Sequence, residues 1–158
     1  MCGIVGVYAW RPGLRLDERL LCAMREQMSS RGPDHAGVLI HQGRRVRLGL
    51  GHRRLSIIDL SARGHQPMSL PDERLTIVFN GEIFNFRELR AELERAGRAF
   101  TSDSDTEVVL HALDAWGLEP ALRRFRGMYA FALFQRDEET LTLVRDPLGV
   151  KPLYFRES

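Results

Sequence analysis

The sequence contains only two cysteines, Cys2 and Cys22. Neither has a second ligand at a spacing typical of zinc sites, and two cysteines cannot form the disulfide framework of a small secreted domain. We therefore expect neither a disulfide scaffold nor a metal site. A thiol without a structural task is a candidate for chemistry.

Long apolar runs and blocks of like charge are also absent. The longest apolar runs, such as Met128 to Phe134, are far too short to span a membrane. Residues 3–10 lack the basic region and the cleavage site of a secretory signal. The 23 basic and 21 acidic residues are interspersed, and the short cluster at Arg44, Arg45 and Arg47 suits a solvated turn. We expect a cytoplasmic protein that has neither nucleic acid nor a membrane as a partner.

The composition that remains is that of one soluble globular domain. The chain has 158 residues, of which 44% are hydrophobic and 28% are charged, and this length suits a single core. Apolar segments with strand-like and helix-like patterns occur without the regular strand–helix alternation of parallel sheets. The pattern predicts a mixed α and β fold with antiparallel hairpins.

The first third of the chain is predicted to form a strand, a helix and a hairpin. Residues 3–10 are apolar at both odd and even positions, which predicts a strand buried on both faces. The sequence at 11–13 predicts a turn, and alternation over 38–50 predicts a hairpin. Between them, apolar residues at every fourth position predict a helix with one buried stripe. That stripe consists of Leu16, Leu20, Met24 and Met28, with Leu21 beside it.

Strands are predicted again in the middle and at the end of the chain. Residues 75–79 form a short apolar strand that ends at Asn80-Gly81. Residues 128–134 and 141–144 are read as two strands joined by an acidic turn.

Two helices are predicted between these strands. The first covers residues 86–96, with Asn85 as its cap and Gly97 as its stop. The second begins at about Asp105, because Ser104 and Glu107 have the spacing of a capping box. Asp105 is thereby predicted to lie in the first turn of a helix.

Cys2 follows the initiator methionine, and a small residue at this position permits removal of Met1. Removal leaves a thiol and a free α-amine on one residue. Because an α-amine titrates near pH ~8, it can accept the thiol proton near neutral pH. The alternative is that Cys2 is a small apolar residue at the start of a buried strand. The position alone does not decide between the two.

Three further features supply candidate binding groups. Asn80 and Gly81 offer an amide and an accessible backbone N–H, which suit an oxyanion hole, although Asn-Gly is also a common turn. Arg54 can grip a carboxylate with two hydrogen bonds, and Asp105 can receive an ammonium group. Each of these charges could equally lie on the surface. His52 shows no metal spacing and is read as structural or solvent-exposed.

Seven motifs, taken together and in order, resemble one family. They are Cys-Gly-Ile-Val-Gly-Val from Cys2, Arg-Gly-Pro-Asp from Arg31, His-Arg-Arg-Leu-Ser-Ile-Ile-Asp from His52, Asn-Gly-Glu-Ile-Phe-Asn from Asn80, Ser-Asp-Thr-Glu from Ser104, Gly-Met-Tyr-Ala-Phe-Ala from Gly127 and Arg-Asp-Pro-Leu-Gly-Val-Lys-Pro-Leu-Tyr from Arg145. The whole chain resembles the N-terminal glutaminase domain of class II glutamine amidotransferases, and specifically the asparagine synthetase branch.

The resemblance implies a fold and a reaction. The fold is that of the N-terminal nucleophile hydrolases, α+β, with two antiparallel sheets packed face to face between helical layers. In such domains Cys2 attacks the side-chain amide of L-glutamine, its own amine relays the proton, and water hydrolyses the glutamyl thioester. Asn80 and Gly81 would form the oxyanion hole. The substrate would be bound by Arg54 at its α-carboxylate, by Asp105 and Glu82 at its α-amine, and by Leu55, Ser56, Ile57 and Ile58 along the pocket.

The resemblance also sets expectations about domains and partners. The family's glutaminase domain continues to a further strand and then to an ATP-dependent synthetase domain. We therefore expect residues 2–158 to be a C-terminally truncated glutaminase domain that can lack its last strand, with no cofactor of its own. ATP and magnesium would bind the absent synthetase domain or subunit, and the ammonia would serve synthesis of asparagine or a related amide.

Two other functions and one question of assembly stay open. The chain could be a non-catalytic interaction or regulatory module of the same fold. It could also be an N-terminal nucleophile acylase for another amide, although Arg54 and Asp105 together favour an amino-acid substrate. A homodimer is one alternative for its oligomeric state.

Overall fold

The computed structural model describes residues 2–10 and 16–157. Within these residues the chain forms seven strands, four α-helices and one short 3₁₀ turn at Ala62–Gly64. The strands are β1 (Gly3–Ala9), β2 (His35–Gln42), β3 (Arg47–Arg54), β4 (Met68–Ser69), β5 (Leu75–Ile83), β6 (Gly127–Gln135) and β7 (Thr140–Arg145). The helices are α1 (Glu18–Glu26), α2 (Phe86–Arg95), α3 (Asp105–Trp116) and α4 (Leu118–Arg124).

The strands form two antiparallel sheets that lie between helices. One sheet has the order β1-β3-β2 and the other the order β4-β5-β6-β7. Helix α1 packs against the first sheet, while α3 packs against β5 and is flanked by α2 and α4. The sheets contact each other through β5, which meets β1 and β3. The predicted α+β fold with two antiparallel sheets is confirmed.

Alternation along β5 explains how this strand serves two cores. Ile77 and Phe79 belong to the large core between the four-stranded sheet and its helices. Val78 belongs to a smaller core between the two sheets. Because side chains alternate along a strand, Asn80 and Glu82 lie on the same face as Val78, toward the three-stranded sheet. Polar residues of β5 therefore face the sheet that begins next to Cys2.

The predicted burial of the first strand and helix is wrong in detail. β1 is an edge strand within the described residues, and apart from Gly3 its residues are half-buried or exposed. In α1 the fully buried residue is Leu21, whereas Leu20 is 56% exposed. Gly49 of the central strand leaves room for Leu21 above it, so the helix turns that residue inward. The predicted turn at 11–13 lies outside the described residues.

Strand β5 is longer than predicted, and this changes the interpretation of Asn80-Gly81. The strand runs on to Ile83, and Asn80 and Gly81 are paired with Ala130 and Tyr129 of β6. They are consequently part of the sheet, and the alternative that they form a turn is wrong. The predicted hairpins β2–β3 and β6–β7 are confirmed.

The two predicted helix caps differ from each other. Asn85 stands at the N-terminus of α2 but makes no side-chain cap bond. Its side chain instead bonds to the backbone of Arg124 and Arg126 after α4. Ser104 does cap α3, because its Oγ accepts a hydrogen bond from the N–H of Glu107 at 3.3 Å. No helix within residues 2–10 and 16–157 is long and apolar enough to cross a membrane.

Candidate active site

A pocket of about 160 Å³ opens where the two sheets and the first turn of α3 meet. Its lining includes every residue for which the sequence predicted a catalytic or binding role, except Ser56. These residues are Cys2, Arg54, Leu55, Ile57, Ile58, Asn80, Gly81, Glu82 and Asp105. Residues far apart in the sequence therefore share one concave surface, which is the usual form of a small-molecule site.

Cys2 brings its thiol to the pocket from the start of β1. The register of β1 pairs the next residue, Gly3, with Arg53. The side chain of Cys2 is half-buried, with its Sγ 3.8 Å from the carbonyl oxygen of Leu55. The backbone carbonyl of Cys2 accepts a hydrogen bond from Nε of Arg31 at 3.4 Å. The thiol is thus held at one wall of the pocket.

Asn80 and Gly81 form a second part of the lining, in the middle of β5. Asn80 is 5% exposed. A Cβ atom at position 81 would overlap the backbone of Met128 and Tyr129 in β6, so only glycine allows this close pairing. The side-chain amide of Asn80 and the backbone N–H of Gly81 are donors of the kind that stabilise an oxyanion.

Arg54 lies at the end of β3 and is 5% exposed. Its Nη1 donates to the carbonyl of Ser61 at 2.8 Å, and its Nη2 donates to the carbonyl of Asp59. Gly64 lies directly against the guanidinium, and a side chain there would overlap it. A guanidinium has five N–H donors. Arg54 can therefore shape the loop and still bind a carboxylate in the pocket.

Asp59 fastens this loop to the neighbouring chain. Its carboxylate accepts hydrogen bonds from the N–H groups of Ser61 at 2.7 Å and of Asp103 at 2.9 Å. Burial alone would raise the pKa of Asp59, but these bonds outweigh it and lower the pKa below its ordinary value. The loop after β3 is thereby tied to the segment that precedes α3.

Asp105 is the first residue of α3, as the capping residues predicted, and is 7% exposed. Its Oδ2 accepts a hydrogen bond from the N–H of Ile83 at 3.0 Å. Burial, with a smaller contribution from the charge of Glu82, raises the pKa of Asp105 to about 6 against the opposing effect of the bond from Ile83. An ammonium group placed here would relieve this unfavourable environment.

Ser56 and Glu107 are directed elsewhere. The N–H of Ser56 donates to the carboxylate of Asp34 at 2.7 Å, which holds the loop but does not bring Ser56 into the pocket lining. Glu107 does not close the predicted capping box. It accepts bonds from the backbone and hydroxyl groups of Thr101 and Ser102, and so anchors the segment before α3.

The pocket also contains polar residues to which the sequence assigned no role. Gln66 and Lys151 line it and are 4% and 6% exposed. Lys151 belongs to one of the seven motifs, and this membership could have identified it from the sequence as a candidate site residue. Gln66 has no such signal, because its contacts are made by folding. Among the described residues, no group of three His, Cys, Asp or Glu side chains could hold a metal ion.

Comparison with known proteins defines the class to which this fold and pocket belong. Residues 1–158 match the family described as "Glutamine amidotransferase domain". The chain belongs to this family. A solved structure of the glutamine phosphoribosylpyrophosphate amidotransferase from Bacillus subtilis is similar, with a TM-score of 0.55 and 26% identity, covering 66% of this chain and 24% of that one.

Curated relatives indicate the branch of the family. The chain is 43% identical over 157 residues to asparagine synthetase [glutamine-hydrolyzing] 1 of Bacillus subtilis, covering 98% of this chain and 24% of that protein. It is 36% identical to putative asparagine synthetase [glutamine-hydrolyzing] 2 of Methanocaldococcus jannaschii, covering 98% of this chain and 32% of that protein. The chain thus spans about a quarter to a third of the length of these relatives.

Proposed function

We propose that the chain hydrolyses L-glutamine to L-glutamate and ammonia, with the thiol of Cys2 as the nucleophile. The observation that carries this proposal is the shared pocket. There the thiol stands with the donors of Asn80 and Gly81, and with the charged groups that suit both ends of an amino acid. Membership of the glutamine amidotransferase family supports the same substrate.

The proposed binding mode uses opposite charges on two walls. Arg54 holds the α-carboxylate with the N–H groups that do not donate to the carbonyls of Asp59 and Ser61. Asp105 and Glu82 receive the α-ammonium group. The side-chain amide of glutamine is then directed at Cys2. This arrangement gives the reacting atoms their orientation before any bond changes.

Acylation follows removal of Met1. The free α-amine of Cys2 takes the proton of the thiol, and the sulfur attacks the δ-carbon of glutamine. The carbonyl oxygen becomes an oxyanion, which accepts hydrogen bonds from Asn80 and Gly81. The carbon–nitrogen bond breaks, the α-ammonium group of Cys2 returns its proton to the leaving nitrogen, and ammonia departs. The product is a glutamyl thioester.

Deacylation repeats the sequence with water. The α-amine removes a proton from water, and the resulting hydroxide attacks the thioester carbonyl. The same two donors at Asn80 and Gly81 stabilise the second oxyanion. The carbon–sulfur bond breaks, the sulfur regains its proton from the α-ammonium group of Cys2, and glutamate leaves.

The released ammonia is proposed to serve an amide synthetase. The relatives named above are asparagine synthetases, and this chain corresponds to about a quarter of the Bacillus subtilis protein. The acceptor site, ATP and magnesium would then belong to a synthetase domain or subunit outside residues 1–158. Similarity to these relatives favours asparagine as the product.

The test is glutamate release by the wild type and by Cys2→Ala, after intact mass has established whether Met1 is removed. The wild type should release glutamate in proportion to the enzyme, and Cys2→Ala should release none above background. Retained Met1 in an active protein, or equal release by both proteins, would contradict the mechanism. A folded, processed and inactive wild type would favour the non-catalytic module instead.

A further inference from the structure

The backbone of Phe79, one residue before Asn80, is held by two side chains that come from outside β5. Its N–H donates to Oε1 of Gln66 at 2.6 Å. Its carbonyl oxygen lies 3.1 Å from Nε2 of His52. All three residues are at most 4% exposed. Because buried backbone groups need a partner, these two side chains replace a neighbouring strand at this position.

β4 begins two residues after Gln66, and this late start explains why the side chain of Gln66 contacts Phe79. β4 pairs with β5 only at Met68 with Ile77 and at Ser69 with Thr76. Continuing this register by two residues would bring Gln66 opposite Phe79. β4 begins only at Met68, so the backbone of Gln66 does not pair with that of Phe79. The side chain of Gln66 makes the bond that a longer strand would have made.

Gln66 also reaches the binding side of the pocket. Its Nε2 donates to Oγ1 of Thr106 at 3.2 Å. Thr106 follows Asp105 in the first turn of α3. One amide group therefore connects the strand that carries Asn80 with the helix that carries Asp105.

His52 approaches Phe79 from the other sheet. It lies in β3, where it is paired with Ile4 of β1 and Gly37 of β2. A Cβ on Gly37 would overlap the carbonyl of Gln66, so β2 lies very close to the segment that precedes β4. A carbonyl oxygen only accepts hydrogen bonds, so Nε2 of His52 carries the proton. Burial lowers the pKa of His52 to about 4, which keeps the ring neutral at neutral pH.

We infer that His52 and Gln66 are positioning residues of the glutaminase, which fix the backbone on both sides of Phe79 so that Asn80 and Gly81 direct their donors at the oxyanion. The inference rests on the proposed function and adds two residues to it. The carbonyl of Phe79 and the N–H of Asn80 belong to one rigid peptide plane. Holding that carbonyl therefore sets the direction in which the strand enters Asn80.

A role of this kind has a distinct kinetic signature. The oxyanion exists only after the thiol has attacked, so its donors stabilise the transition state and not the bound glutamine. Loss of positioning should lower kcat for glutamine while KM changes little. A general loss of structure would reduce the amount of active enzyme and lower the melting temperature. It would not be repaired by restoring a single donor.

The experiment compares His52→Phe, which removes the donor, with His52→Gln, which returns an N–H near the position of Nε2. We expect His52→Phe to lower kcat by about ten- to a hundredfold, as for a donor that is misplaced and not removed. KM should stay within about threefold of the wild type, and His52→Gln should recover most of kcat. His111→Phe is the matched control, since His111 is also buried but lies on α3 and contacts Phe100.

A second pair tests the other contact and covers the case in which His52→Phe does not fold. Gln66→Met removes the acceptor for the N–H of Phe79, whereas Gln66→Glu keeps it. Gln66→Met should show the selective fall in kcat, and Gln66→Glu should recover part of it. Amide hydrogen exchange at Phe79 should be faster in Gln66→Met than in Gln66→Glu.

The outcomes separate this inference from the function on which it rests. An active wild type with unchanged kcat in His52→Phe and Gln66→Met would overturn the inference alone. An equal loss in His111→Phe, or no recovery in either conservative variant, would do the same. A wild type that releases no glutamate would overturn the proposed function, and the inference with it.

Discussion

The carboxylate of Asp105 accepts a hydrogen bond from the backbone N–H of Ile83, with 3.0 Å between Oδ2 and the nitrogen. This bond connects the first turn of α3 to the end of β5, directly beside the pocket. It does not compensate for burial, which raises the pKa of Asp105 to about 6. The folded chain therefore carries an unfavourable charge at this position, and a cationic ligand would relieve it.

The first prediction is that Asp105→Asn stabilises the chain while weakening its site. The folded pKa is about 6 and the ordinary value is 3.8, so between these values the folded state binds the proton and the unfolded state does not. Stability thus falls as pH rises from 3.8 to about 6 and stays reduced above it. Near pH ~7.5, Asp105→Asn should raise the free energy of unfolding by about 1–3 kcal/mol.

Urea unfolding measures this difference, and the gain should vanish near the lower end of that pH range. Asp103→Asn is the control, because the side chain of Asp103 is 87% exposed. In the same Asp105→Asn protein, KM for glutamine should rise by the equivalent of about 1–3 kcal/mol, the contribution of a charged hydrogen bond. A less stable variant with unchanged KM would contradict the proposed role of Asp105 in binding glutamine.

The second prediction concerns the pH dependence of glutamine binding. Protonation of Asp105 removes the group proposed to receive the α-ammonium, so affinity should fall as pH drops through about 6. The slope should approach about tenfold per pH unit below that value. Calorimetry with Cys2→Ala measures binding without turnover. The Cys2→Ala, Asp105→Asn double variant should show weaker binding without this pH dependence, and a flat profile in the single variant would contradict the assignment.

The third prediction is that Gly64→Ala damages substrate binding through Arg54. A methyl group at position 64 would overlap the guanidinium, which would have to leave the carbonyls of Asp59 and Ser61. We expect kcat/KM for glutamine to fall by about tenfold or more, mostly through KM. Gly6→Ala is the control, since its Cβ would meet only a Leu50 side-chain atom at 3.2 Å and a backbone oxygen at 3.4 Å. Equal kinetics in both variants would count against a binding role for Arg54.

The fourth prediction separates stability from catalysis at Glu139, which joins the two hairpins far from the pocket. Its carboxylate accepts bonds from the N–H groups of Arg44 at 2.6 Å and Arg45 at 2.8 Å, and its carbonyl accepts one from Tyr8. Burial alone would raise the pKa of Glu139, but the bonds from Arg45 and Arg44 lower it below its ordinary value.

Because that pKa is lowered, the contribution of Glu139 to stability is present above the ordinary value of 4.5 and is lost as pH falls below it. Glu139→Gln should therefore lower the melting temperature at neutral pH. Glutamine turnover at 25 °C should be unchanged. Differential scanning calorimetry and the glutaminase assay check the two parts, and a large fall in kcat would mean that the hairpin junction reaches the site.

The sequence predicted the elements of this fold better than their burial. The hairpins and the start of α3 follow from local patterns, such as the cap at Ser104. The buried stripe of α1 does not, because Leu21 turns inward only where Gly49 of another strand makes room. Likewise, the extension of β5 past Asn80 depends on pairing with β6, which lies far along the chain.

The candidate site shows the same division. Cys2, Asn80 and Gly81 could be proposed from sequence because their chemistry is visible in the residues themselves. His52 and Gln66 are harder to assign, although His52 opens one of the seven motifs, because their contacts with Phe79 span 27 and 13 positions. The contact of His52 also crosses from one sheet to the other. The sequence predicts that His52 is structural or solvent-exposed, and in the structure it is 1% exposed. A buried polar partner is identified only when the chain has folded around it.

The proposed reaction requires Cys2 as its nucleophile, and one measurement tests this directly. The chain is mixed with glutamine, quenched in acid within the first turnovers, and examined by intact mass and peptide mapping. We predict a protein without Met1 that carries one glutamyl group on Cys2, and no such adduct in Cys2→Ala. Release of glutamate with no adduct on Cys2, or an adduct on another residue, would contradict it.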